Sequence, residues 1–160
     1  MNRREFLYVL GGLGALKAGS VGYEWASFAS DPRDYIQPHH TAVEEQAEAI
    51  DGLPETADMD AELTYDRDIE NFKPASVYLE DGTGDCEDVA ITAASILENK
   101  EIPWKMVFQP GHTETHFYMD GDYHRWHSGQ PKNPEERDGE DFDLMFDLDD
   151  GWDTYDEDWA

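Results

Sequence analysis

Hydrophobic and polar positions fall into blocks of different period along the chain. Val43, Ala47 and Ile50 recur at helical intervals behind Thr41-Ala42-Val43-Glu44, which has capping-box spacing, and Asp51-Gly52 breaks the pattern. One amphipathic helix is expected there. A shorter helix is expected over Asp66 to Phe72, ending before Lys73-Pro74. Val89, Ala90, Ile91, Ala93, Ala94, Ile96 and Leu97 then form a run with almost no polar stripe, the mark of a buried helix. Gly82 and Gly84 make a tight loop before it, Asp85 is a natural N-cap, and Asp88 three residues on approximates a capping box. Cys86 is then the first residue of the helix.

Beyond Ile102-Pro103 the period changes. Trp104-Lys105-Met106-Val107-Phe108 reads as a strand, and the aromatic-rich runs on either side of Asp120-Gly121 read as a hairpin with a two-residue turn. Met119 then faces Asp122, and counting outward sets Glu114 opposite His127. Alternation puts His112, Glu114, His116 and Tyr118 on one face with His127, and Thr113, Thr115, Phe117 and Met119 on the other.

Charge changes the picture next. Among 160 residues, 38 Asp and Glu stand against 11 Lys and Arg, a formal charge of -27. Such a surface cannot neutralise phosphates, which excludes nucleic acid as a partner. An apolar fraction of 39%, with 12% aromatic residues, still suffices for the core of one folded domain. Acidic residues spread along the whole chain, with Lys rare, resemble the surfaces of proteins from extreme halophiles.

The two ends differ from the middle. Arg3-Arg4 before Phe6-Leu7 and a short apolar, Gly-rich run resemble a twin-arginine export signal, with Ser27-Phe28-Ala29 suited to cleavage after Ala29. Residues 1–29 are therefore expected to direct export to the cell surface or medium, or to act as a membrane tether if uncleaved. Without them, 8 basic groups face 36 acidic ones. From Asn133 to Ala160, 13 acidic residues and one Arg alternate with Phe142, Leu144, Met145, Phe146, Leu148, Trp152, Tyr155 and Trp159. This acidic aromatic extension, residues 131–160, is expected to pack back on the domain of residues 30–130. Its aspartates do not follow calcium-loop spacing.

Cys86 is the only cysteine, so it forms no internal disulfide. Free amides and the helix dipole at a helix start stabilise a thiolate, while Asp85, Glu87, Asp88 and the net charge oppose it. The polar Gly-Asp-Cys-Glu-Asp setting favours a reactive thiol over a buried hydrophobe. At molar salt the screening length falls to roughly 3 Å. Reactivity of Cys86 is therefore expected to rise with salt.

Gly84-Asp85-Cys86-Glu87-Asp88 opening a helix, a strand after it and a His-bearing hairpin together resemble the transglutaminase-like cysteine peptidase superfamily, over roughly Tyr65 to Ser128. The resemblance implies an α+β fold with a papain-like core, in which a Cys at a helix N-terminus packs against a small antiparallel sheet, with His on the next strand and an acid on the strand after. It also implies acyl transfer from a protein or peptide amide, with neither cofactor nor metal. Two histidines compete as partner of Cys86. Pro110-Gly111-His112 is similar to archaeal members, and the fifteen-residue step from His112 to His127 matches the family interval from His to its acid. His116, followed by aromatic residues, fits the more general pattern. Where the family has its orienting acid, this chain has His127, so Asp120, Asp122 or Glu114 would have to substitute. The site is thus expected among Cys86, His112, His116, His127 and Asp120. Two alternatives stand beside it: a catalytically silent structural or binding module of the same fold, for example in a virion or cell envelope, and a metal site of His112, His116 and His127 with Cys86.

Overall fold

The helix expected from Thr41-Ala42-Val43-Glu44 forms as α1, Thr41–Ala49, in a computed structural model that describes residues 31–50, 53, 64–65, 72–109, 112–126 and 144–154. Its N-cap is His40, one residue before Thr41: the His40 ring Nδ1 accepts the Ala42 N–H at 3.3 Å. Val43 and Ala47 are its buried positions. The helix expected from Asp66 lies mostly outside the described residues. Instead, α2 covers Ala75–Asp81, starting directly after Pro74 and closed by Gly82 at φ 65°. Pro74 starts a helix here, because a ring with fixed φ and no N–H suits a helix start as well as a helix end.

The buried helix, α3, runs from Cys86 to Asn99, and both halves of its capping box are made. Asp85 accepts the N–H groups of Glu87 and Asp88, and Asp88 accepts that of Asp85. Every residue from Asp88 to Leu97 is buried, as the apolar run demanded. Two short strands, β1 Thr64–Tyr65 and β2 Thr83–Gly84, pair in parallel just before it.

Five strands form one antiparallel sheet: β3 Trp104–Gln109, β4 His112–Met119, β5 Asp122–Trp126, β6 Leu144–Asp147 and β7 Gly151–Thr154, in the order β5-β4-β3-β6-β7. Asp120 and Gly121 both have positive φ, 57° and 88°, and the turn sets Met119 against Asp122. On the other side of β3, the acidic aromatic stretch adds β6 and β7, sinking Leu144, Phe146 and Trp152 into the core.

Helix α3 lies on the face of the sheet that carries Met106, Phe108, Phe117, Phe146 and Trp152, with α1 and α2 packed on its other sides. Burying these aromatic and aliphatic side chains, each worth about 1.5–3 kcal/mol, is what the apolar minority of a highly acidic chain provides. The opposite face carries Lys105, Val107, Glu114, His116, Met145 and Asp147, and Val107, Glu114, His116 and Met145 are buried there. The chain is thus α+β, with three helices and one antiparallel sheet among the described residues. None of these helices is long and apolar enough to cross a membrane. The expected export segment, residues 1–29, lies outside the described residues.

Candidate active site

The site is built from the start of α3. A side chain at Gly84 would place its Cβ 2.5 Å from the Tyr78 ring and 2.6 Å from Asp88 Oδ2, so only glycine lets β2 pass that close. Asp88, 1% exposed, accepts the Lys73 N–H at 2.7 Å and the Asp85 N–H at 3.2 Å. One carboxylate therefore ties the segment before α2 to the loop that presents Cys86. Lys73 adds a second tie, its Nζ donating to the Thr83 carbonyl at 3.0 Å.

Cys86 is 7% exposed, and its sulfur is directed at the first residues of β4. The backbone N–H of Thr113 and that of Cys86 itself donate to it. Burial pushes the thiol up from 9.0 to about 12, Asp85 and Glu87 add to the rise, and the two amides oppose it. The resting group is a neutral thiol. The sequence weighed a dipole against nearby charges, but the largest influence is loss of water, which no local motif encodes. Salt screens charges and does not restore lost hydration, so a steep salt response is no longer the expectation.

Glu87 follows the same logic. Burial first, then the neighbouring Asp85 and Asp88, push its carboxyl from 4.5 up to about 8. A proton-holding acid thus stands one residue from Cys86, a property the sequence reading missed by counting Glu87 only as negative charge. Three carboxylates at 85, 87 and 88 on one helix start were the available signal.

The five expected site residues are placed as follows. His112 opens β4 opposite Gln109. Its neighbour Thr113 is the residue whose amide meets the Cys86 sulfur, so the start of β4 lies beside the thiol, while strand alternation assigns position 112 to the face of Glu114 and His116. His116 sits on the other face of the sheet. Thr115 Oγ1 reaches the Ala90 carbonyl of α3 at 2.7 Å, and alternation turns His116 away from that helix. There His116 Nε2 lies 3.3 Å from Glu114 Oε2, which also takes Arg125 Nε at 2.8 Å and Nη2 at 2.7 Å. Asp120 is exposed in the hairpin turn, eight residues and about 26 Å along the strand from His112. Asp122 is exposed at the same remote end. Neither reaches His112, and Glu114 is engaged by Arg125 and His116. His127 lies outside the described residues.

Two further polar groups on the α3 side of the sheet escaped the sequence reading. Thr113 Oγ1 and Trp126 Nε1 are buried without a hydrogen-bond partner. Among the described residues no three His, Cys, Asp or Glu side chains are grouped to hold a metal ion. No family model, curated protein or solved structure matches this chain.

Proposed function

We propose that this chain is an exported, salt-adapted, transglutaminase-like cysteine hydrolase or amide acyltransferase with a papain-like core, using Cys86 as nucleophile and His112 as base and acid. The observation that carries the reading is the Thr113 amide on the Cys86 sulfur, which sets the start of β4 beside the first residue of α3; the reading requires His112, at the end of the strand, to turn its ring from the Glu114 face to that of Thr113. The chemistry follows from a thiol that is neutral at rest. His112 takes the Sγ proton as the sulfur attacks the carbonyl carbon of a protein or peptide amide. The developing oxyanion is met by the positive end of the α3 dipole. The carbon–nitrogen bond breaks, the leaving amine takes the proton from His112, and a thioester remains. Water or a second amine then attacks the thioester and the thiol is regenerated. Proton removal coupled to attack suits a buried thiol better than a preformed thiolate–imidazolium pair.

A second reading, a catalytically silent module of the same fold, draws on two observations: the thiol pushed up to about 12, and His127 in place of the orienting acid. An activated acetyl ester separates the two. Acyl transfer predicts one acetyl group on Cys86, read by intact mass and absent from Cys86→Ala. A silent module leaves the mass unchanged.

A further inference from the structure

We infer that Thr113 is a positioning residue for Cys86, its hydroxyl donating to the sulfur once the thiol has lost its proton; the inference rests on the reading of Cys86 as a nucleophile. Thr113 is fully buried and its Oγ1 has no partner. A buried hydroxyl without a hydrogen bond is destabilising, and valine would fill the same space without that cost. Geometry says where the hydroxyl is aimed. Two residues on, Thr115 occupies the same face of β4 and donates to the Ala90 carbonyl at 2.7 Å. Stepping back two strand residues, about 6.7 Å, and four helix residues, about 6 Å, pairs Thr113 with Cys86. The Thr113 N–H already reaches that sulfur, and Oγ1 is three covalent bonds from that nitrogen.

Protonation explains why the hydroxyl is idle at rest. A thiol sulfur is a weak acceptor, whereas a thiolate accepts strong, charge-assisted hydrogen bonds. The bond therefore forms only with the charged sulfur, and a contact stronger in the reactive form than in the resting form favours that form. Together with the two amides it supplies a third donor against the burial that disfavours ionisation.

The test labels the full chain with a small methanethiosulfonate across the alkaline range and reads the single cysteine by intact mass. Thr113→Val is expected to slow labelling about tenfold at each pH below the thiol midpoint, since a hydrogen bond to a charged group corresponds to roughly one pH unit. Thr113→Ser, which keeps the hydroxyl, is expected to restore the wild-type rate and pH profile. Thr113→Val loses no existing bond, so it should unfold at the same or higher denaturant concentration. A Val profile equal to wild type, or a Ser variant as slow as Val, overturns the inference. Labelling reports ionisation without turnover. A chain that follows the expected Val and Ser pattern but never takes up acetyl would refute acyl transfer and leave the Thr113 contact standing.

Discussion

Glu87→Gln tests the electrostatics of the α3 start. Between the ordinary value of 4.5 and the buried value of about 8, folded Glu87 keeps a proton that the unfolded chain releases. A carboxyl raised in this way favours the folded state fully below 4.5, and that contribution is lost as pH rises toward 8. At 1.36 kcal/mol per pH unit the ceiling is about 5 kcal/mol. Glu87 keeps some contact with water, and solvent screening reduces the expected loss to roughly 2–3 kcal/mol. Glutamine has nearly the same shape and does not ionise. Denaturant unfolding of both proteins at fixed salt, from acid to mildly alkaline pH, isolates this group, because the other carboxylates largely cancel in the difference. The variant should match wild type at the acid end and become progressively more stable than it through neutrality. A difference that stays flat with pH would refute the reasoning.

Two other substitutions probe the frame around the site. Gly84→Ala drives a methyl group against the Tyr78 ring and the Asp88 carboxylate, and should cost about 1–3 kcal/mol in denaturant unfolding; unchanged stability would mean the close approach is not required. Burial works to raise Asp147, but the hydrogen bond from Lys105, helped by the amides of Asp150 and Gly151, outweighs it and holds the carboxyl below 3.8. Such a group stabilises above its ordinary value and loses that contribution as pH falls through its lowered one. Asp147→Asn should therefore cost about 2 kcal/mol near neutrality and converge with wild type in acid; a gap that persists in acid would contradict it.

Local chemistry was legible where one or two residues dictate a conformation. Asp120-Gly121 sets the hairpin register through positive φ at both positions, and Asp85 with Asp88 marks the start of α3 at Cys86. Alternation correctly separated His116 from Thr115, but which face meets α3 depends on how helix and sheet pack, and the Thr115 contact with Ala90 was needed to decide it. Helix α2 was missed because Pro74 reads equally as a stop and a start. Burial of Cys86 was missed for a deeper reason. The motif around it is polar, and β4, which packs against α3 and brings Thr113 to the sulfur, lies about 27 residues away in sequence. Glu87 changed from a repelling charge to a proton carrier by the same unseen desolvation.

The central claim is that His112 serves the Cys86 sulfur. Cys86 acetylation by an activated ester, followed by intact mass over pH in wild type and His112→Ala, tests it most directly. The account predicts that at neutral pH His112→Ala is acetylated at least about a hundredfold more slowly than wild type, its rate rising only toward the alkaline thiol midpoint. Equal rates and equal pH profiles in the two proteins would contradict it.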